Sequence, residues 1–387
     1  MDHRTGLPVV GMVGAGQLAR MTQQAAIALG QSVRLLAESA DDGAALVASD
    51  VVVGDYQSLD DLRTFARGCD VVTFDHEHVP NAHIVALELD GVSVQPGSAA
   101  LRFAQDKLAM RERLAALGIP CPRWAPVTDA AALAAFGDEV GWPLVLKATR
   151  GGYDGKGVWM VDDLAAAAEP LASGTPLLAE ERVPIVRELA ADVARSPFGQ
   201  GAVWPVVETV QRDGICVQVI APAPELSADD AEEVQALALR IAGELGVTGV
   251  LAVELFETPD GLLVNELAMR PHNSAHWTIE GSLTSQFEQH LRAVLDYPLG
   301  ATRQLAPVVV MANLLGGPDD VVPKALDERV HHLMAHWPDV KIHLYGKQFR
   351  PGRKVGHVTA LGDDLATVRR KATEAADYLM NGDRPDD

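Results

Sequence analysis

Cysteine is nearly absent: Cys69, Cys121 and Cys216 are the three in 387 residues, and they lie far apart. That excludes a disulfide framework and a Cys-x-x-Cys metal site. No apolar run reaches the roughly 20 residues that a bilayer-spanning helix needs. The start, Met1-Asp-His-Arg-Thr-Gly6, has no apolar segment behind a basic one, so no secretory signal is expected. Basic residues are few, 32 Lys and Arg against 53 Asp and Glu, for a net charge of −21. A nucleic-acid surface needs clustered cations and is not expected. These shortages point to a cytoplasmic protein with no membrane partner and small-molecule ligands. In so acidic a chain, an anionic ligand needs a local basic pocket. Apolar residues are plentiful at 48%, enough for two or three buried cores. There are no repeats and no low-complexity linkers.

Val9 to Val13 reads as a buried strand entering a helix at Gly14-Ala-Gly-Gln-Leu-Ala19, with Leu18, Met21, Ala25 and Leu29 on one face and Gly30 at its end. Strands at Val33–Ala37, Val51–Val53 and Val71–Phe74 alternate with helices, the pattern of a parallel sheet. This unit runs to about Ser98. A helix over Asp106–Leu117 stops at Gly118-Ile-Pro120. Hairpins then replace the alternation, with strands at Leu177–Glu180, Glu188–Ala194, Val203–Val207, Ile215–Ile220, Val250–Phe256 and Leu262–Leu267. Ser227 and Ser285 each begin a helix with an acid three residues on, the capping-box spacing. The tail carries strands near Val308–Ala312, Lys341–Leu344 and Val355–Thr359, and a helix over Leu365–Leu379.

The richest stretch is Pro143-Leu-Val-Leu-Lys-Ala-Thr-Arg-Gly-Gly-Tyr-Asp-Gly-Lys-Gly-Val-Trp-Met-Val161. Glycines let backbone N–H groups approach an anion, and Lys147 and Lys156 neutralise it. The loop joins strand to strand, which excludes the Walker A arrangement of a loop opening a helix. On its own it is equally a hairpin tip with solvated lysines. Glu254 and Glu266 flank the turn Thr258-Pro-Asp-Gly261 almost symmetrically, so a hairpin sets them opposite or one residue out. Two such carboxylates repel unless one is protonated or a cation lies between them, and oxygen ligands suit Mg²⁺ or Mn²⁺. Asn265 is expected on the opposite face. Arg270, His272 and Asn273 follow directly and offer donors to an anion, although Asn and Ser there also suit helix entry. Lys347, Arg350, Arg353 and Lys354 form one basic loop in an acidic chain. Asp75, His76, Glu77 and His78 end a strand where open α/β sheets bind ligands; a zinc site is conceivable there, a polar pocket wall the better reading. Gly14-x-Gly16-x-x-Ala19 with Glu38 fits the dinucleotide fingerprint, or a tight strand-to-helix turn.

Taken together, these strings resemble the ATP-grasp superfamily and, within it, the ATP-dependent synthases that carboxylate 5-aminoimidazole ribonucleotide in purine biosynthesis. The likeness runs from Gly11 to about Thr359. It is carried most specifically by Gly151-Gly-Tyr-Asp-Gly-Lys-Gly157, Asn265-Glu-Leu-Ala-Met-Arg-Pro-His-Asn-Ser274, Thr284-Ser-Gln-Phe-Glu-Gln-His290 and Arg350-Pro-Gly-Arg-Lys-Val-Gly-His357. The resemblance implies an α/β and α+β fold: a biotin-carboxylase-like N-terminal parallel-sheet domain (1–104), an ATP-grasp domain (105–300) and a small β-rich C-terminal domain (301–387). It implies ATP, Mg²⁺, bicarbonate and the ribonucleotide as ligands, carboxyphosphate as intermediate, and a homodimer. Lys107 and Lys147 would touch the nucleotide's phosphates, and Gly151, Gly152, Tyr153, Asp154, Gly155, Lys156 and Gly157 would close over them as a lid. Glu180, Glu181, Arg182 and Val183 would form the adenine hinge. Glu188 would take the ribose hydroxyls, Asn265 would sit at the nucleotide, and Glu254 and Glu266 would hold the metal. Gln17, Leu18, Asp75, Glu77, Arg270, His272, Asn273, Lys347, Arg353 and Lys354 would bind the ribonucleotide, with Tyr153, Asp154, Lys156, Lys347 and Arg353 closest to the chemistry.

Four departures from the family's strings stand out: Gly14-Ala-Gly-Gln-Leu-Ala19 for Gly-Gly-Gly-Gln-Leu-Gly, Asp75 for Glu, Gln211 for His, and Met269 for Pro. None removes a phosphate or metal ligand. Competing expectations are another ATP-grasp ligase of the glycinamide-ribonucleotide transformylase or biotin carboxylase type, an NAD-dependent dehydrogenase, and a nucleotide-binding scaffold without turnover.

Overall fold

A computed structural model describes residues 1–152, 156–317 and 326–382. The apolar strand Val9–Val13 is buried along its whole length and lies at the interior of a four-stranded parallel sheet, between Ser32–Ala37 and Val71–Phe74, with Val51–Val53 at the edge. Burial on both faces explains why these strands read as continuous apolar runs rather than alternating ones. Helices Gln17–Leu29, Leu59–Ala66 and Asn81–Leu89 make the connections.

Two further sheets follow. The smaller is antiparallel and orders Trp124–Val127, Leu177–Glu181, Leu144–Ala148 and Val158–Val161. Leu133, Phe136, Leu144, Leu146 and Leu177 form its core beneath helix Ala130–Val140. The glycine loop therefore does join strand to antiparallel strand. The larger sheet is nine-stranded and antiparallel, and its central strands Arg187–Arg195 and Gly249–Thr258 carry the core under helix Ala228–Glu244. The strand expected at Val203–Val207 is instead two, Gly201–Val203 and Val207–Arg212, because Pro205 offers no N–H to a ladder. Among the described residues both N-caps form, without the reciprocal bond of a full capping box: Ser227 accepts from the Asp230 N–H, and Ser285 from that of Glu288.

The C-terminal strands Val308–Leu315, Lys354–Gly362 and Lys341–Leu344 build no sheet of their own. They continue the large sheet, joining it where Ile215–Ala221 pairs with Val308–Leu315. Helix Leu365–Asn381 covers them through Val368, Ala372, Ala375 and Leu379. The basic loop is thus anchored in the same sheet as the opposed acids. Among the described residues, no helix is long and apolar enough to cross a membrane.

Candidate active site

The hairpin Gly249–Thr258/Gly261–Ala268 places Glu254 directly opposite Glu266. The next pair is Leu255 with Val264, so Asn265 is an extra residue on its strand. Such a bulge turns consecutive side chains off strict alternation. This corrects the expectation for Asn265: its Oδ1 accepts from Lys147 Nζ at 3.0 Å, beside Glu266 rather than behind it. Lys107, at the start of helix Lys107–Ala116, pairs with Glu266. Burial pushes the Glu254 carboxyl up, and Glu266 and Glu188 push it further, against the weaker pull of Lys107 and Lys354. His272 Nε2 lies 3.4 Å from Glu254 and is held below the ordinary histidine range by burial and by the charges of Arg270 and Lys354.

A second acid lies close by with the opposite balance. Glu180 is 2% exposed, 2.7 Å from Arg111 Nε and 2.7 Å from Lys147 Nζ. Arg111 is wholly buried and also donates to the carbonyls of Val264 (3.0 Å) and Asn265 (2.7 Å). Burial alone would raise the Glu180 carboxyl; Lys147 and Arg111 more than offset it and hold it low. This triad ties the small sheet to the large one at the bulge. Glu180 is therefore turned inward. Glu181 accepts from the Arg123 N–H at 2.8 Å, and Arg182 and Val183 follow the end of its strand. Glu188 is half-buried, raised by burial and opposed by Gln211, the residue that stands in place of the family's His. Gly151 and Gly157 have φ of +78° and +74°, and a Cβ on Gly152 would sit 2.7 Å from the Lys156 carbonyl oxygen. Tyr153, Asp154 and Gly155 lie outside the described residues.

The other expected group assembles on the N-terminal side. Arg270 pairs with Glu77 at 2.8 Å, and Lys347 Nζ donates to Gln17 Oε1 at 2.7 Å. Lys354 acts on Glu254 and His272 by its charge, while Arg353 is exposed and its guanidinium makes a 3.4 Å contact to the Gln348 carbonyl. Three residues point elsewhere. Leu18 packs with Met21, Phe287 and Tyr345 in a small core. Asn273 exchanges hydrogen bonds with the Asn313 amide, 2.9 and 2.8 Å, which satisfies both buried side chains. Asp75 accepts from the Gly16 N–H at 2.7 Å, and a Cβ on Gly14 would fall 1.8 Å from its Oδ1. That carboxylate occupies the place where a dinucleotide phosphate would meet the turn, so the glycines serve an internal anion and the dehydrogenase expectation loses its basis. No group of three His, Cys, Asp or Glu suited to a metal exists among the described residues, and the His76 ring stacks on that of His78 at 5.2 Å between centroids.

Several residues escape sequence reasoning. Arg111 sits in an ordinary-looking helix, and nothing local signals its burial. Asp192 had a signal, a lone acid in Leu189-Ala-Ala-Asp-Val-Ala194. It is buried, accepts from Ser274 Oγ at 3.1 Å, and burial pushes it up to about 7. Ser274 in turn meets His272 Nδ1 at 2.8 Å.

Residues 7–105, 112–287 and 309–371 match, in order, the ribonucleotide synthetase preATP-grasp domain, the ATP-grasp domain and the phosphoribosylaminoimidazole carboxylase C-terminal domain. The chain is 60% identical over 380 residues to the N5-carboxyaminoimidazole ribonucleotide synthase of Mycobacterium tuberculosis, covering 97% of this chain and 88% of that protein. It is 52% identical over 388 residues to the enzyme of the same name from Corynebacterium ammoniagenes, covering 98% and 94%. Its fold matches a crystal structure of the Aspergillus clavatus synthase with ADP and 5-aminoimidazole ribonucleotide at a TM-score of 0.86 and 32% identity, covering 96% and 98%.

Proposed function

We infer how this site works from one premise: the chain belongs to the N5-carboxyaminoimidazole ribonucleotide synthase family, and is an ATP-grasp ligase that carboxylates 5-aminoimidazole ribonucleotide to its N5-carboxy form in purine biosynthesis, at the expense of ATP. The observation that carries the residue assignments is the opposed pair Glu254–Glu266 at the Asn265 bulge, with Lys107 and Lys147 at its edge. A pair of facing carboxylates with a charge surplus fits Mg²⁺, whose remaining ligands come from phosphate oxygens and water. When bound, the ion screens charge on the nucleotide's phosphates. Lys147 and Lys107 neutralise those phosphates from the other side. The main chain of 181–183 takes the adenine and Glu188 the ribose.

Bicarbonate is a poor electrophile, and its oxygen attacking the γ-phosphorus of ATP, with ADP leaving, gives carboxyphosphate. The amine of the ribonucleotide then attacks the carboxyl carbon, phosphate leaves, and the nitrogen gives up a proton. The residues' work is positioning and charge stabilisation. Arg270, held by Glu77, and His272 face the carboxyphosphate; Gln17, Lys347, Arg353 and Lys354 face the ribonucleotide. Loop 151–157 shuts water from an intermediate that hydrolyses readily. The protein acts as a cytoplasmic homodimer, with domains at 1–104, 105–300 and 301–387.

The test is phosphate release from ATP with each substrate omitted in turn. Release that requires both bicarbonate and 5-aminoimidazole ribonucleotide supports the reading. Equal release with glycinamide ribonucleotide or biotin as acceptor overturns the assignment of the acceptor pocket.

A further inference from the structure

Four side chains, Lys347, Gln17, His276 and Gln286, connect the basic loop to the main chain of His272, and their hydrogens do not all find acceptors. Gln286 is fixed first. Its Oε1 accepts from the His272 N–H at 2.7 Å and its Nε2 donates to the His272 carbonyl at 2.8 Å. A backbone N–H only donates and a carbonyl only accepts, so the amide has one orientation. The second hydrogen on Gln286 Nε2 then points to His276 Nδ1, 2.9 Å away. Nδ1 must accept, which leaves the ring neutral with its hydrogen on Nε2. Burial, which holds His276 well below the ordinary histidine range, agrees.

That Nε2–H faces Gln17. The nearest Gln17 atom is its amide nitrogen, 3.5 Å away, while Gln17 Oε1 accepts from Lys347 Nζ at 2.7 Å. A donor therefore faces a donor. Turning the Gln17 amide over satisfies His276 but sets an NH₂ against the Lys347 ammonium. One carbonyl oxygen cannot serve both neighbours in these positions. The ring cannot turn aside, since His276 is fully buried between Phe287 (5.7 Å between centroids), His357 (5.2 Å) and Tyr345 (6.3 Å). The movable parts are the Gln17 amide and the Lys347 side chain.

We propose that His276 is a positioning residue for the ribonucleotide: when the substrate's anionic group draws Lys347 to itself, the Gln17 carbonyl passes to His276 Nε2–H, and the Gln17 amide nitrogen turns to the anion as a second donor. The inference rests on the reading above that Gln17 and Lys347 contact the ribonucleotide. The buried donor left unmatched in the free enzyme becomes matched in the complex, so His276 favours the bound arrangement. His276 itself touches no substrate.

His276→Phe keeps the ring's volume and removes the donor. The KM for the ribonucleotide is expected to rise about tenfold, the size of one hydrogen bond in a charged site, while kcat and the KM for ATP move less than about twofold. His276→Gln restores an N–H near the place of Nε2 and should bring most of the affinity back. Adding His276→Phe to Gln17→Ala should cost nothing more, because His276 acts only through Gln17. An unchanged ribonucleotide KM in folded His276→Phe, or an additive loss in the double variant, overturns the proposal. Should His276→Phe fail to fold, Gln17→Glu decides: its carboxylate accepts from His276 and Lys347 together and offers the anion no donor, so the KM rises, and a normal KM overturns the proposal. Lys347→Met separates this from the underlying reading. A normal KM there removes Lys347 from the substrate site; a raised one beside a normal His276→Phe removes only the role of His276.

Discussion

Two acids on adjoining sheets, the buried Glu180 and the half-buried Glu254, have the same chemistry and opposite surroundings. Glu180 has Arg111 and Lys147 both at 2.7 Å, and its carboxyl is held low. Glu254 faces Glu266, and its carboxyl is pushed up. Burial raises both carboxyls; the neighbours decide the outcome. A carboxylate with cations in surplus is a structural joint, here between the small sheet and the large one. One with anions in surplus stands ready for a cation from outside. Lys147 belongs to both, since it also donates to Asn265.

The sharpest way to break this contrast is to neutralise each acid. Glu266→Gln removes one of the two carboxylates proposed to hold the metal, and half of the repulsion. Ribonucleotide-dependent phosphate release should fall by about a thousandfold or more. The melting temperature should hold or rise, because a like-charge contact disappears. A variant that keeps near-normal turnover takes the metal away from this pair. Glu180→Leu should do the reverse to stability. It strands Arg111, fully buried, and Lys147 without their anion, and breaking a buried pair from one side costs about 3–5 kcal/mol. Calorimetry should record a fall of several degrees; a variant that melts with the wild type makes Glu180 an ordinary polar residue.

Asp192 supplies an intermediate case, a buried acid with a hydroxyl neighbour and no cation on it. Its folded-state value of about 7 lies above the ordinary carboxylate range, so the folded chain keeps a proton that the unfolded chain has lost. Its contribution to stability is whole below about pH 4, declines as pH rises toward 7 and is absent above that. Asp192→Asn should remove this slope, and the variant should gain on the order of 4 kcal/mol relative to wild type between pH 4 and pH 8. Parallel pH–stability curves for the two proteins would show that Asp192 is ionised throughout.

The contrast also explains what was legible in the sequence. Spacing about the Thr258–Gly261 turn places Glu254 against Glu266, since register across a short hairpin is a local property. Strand-to-strand connection of the glycine loop follows from its flanking apolar runs. The bulge at Asn265 is not a local feature: Arg111 reaches the strand from a helix and Lys147 from another sheet. Arg111 itself is invisible because burial of one helix face against a distant strand leaves no mark at its own position. The fingerprint at Gly14–Ala19 shows a turn that needs glycine, yet not that Asp75, 59 residues away, fills it. Asn273 and Leu18 fail in the same way, each taken up by a partner far along the chain.

Exposure gives the smallest effect and the last test of the rule. Arg353 belongs to the basic loop, but its residue is exposed and its guanidinium makes a long contact, 3.4 Å, to the Gln348 carbonyl. A charge so placed is screened within about 10 Å at ordinary salt. Arg353→Ala should therefore raise the KM for the ribonucleotide by only about threefold at low salt, within the range of a surface ion pair. The increase should shrink as salt is added, and the KM for ATP should not follow it. A large, salt-insensitive rise would mean that the loop folds over the substrate and buries Arg353 in the complex. Arg353 would then join Glu180 as a charge that meets its partners out of reach of screening salt.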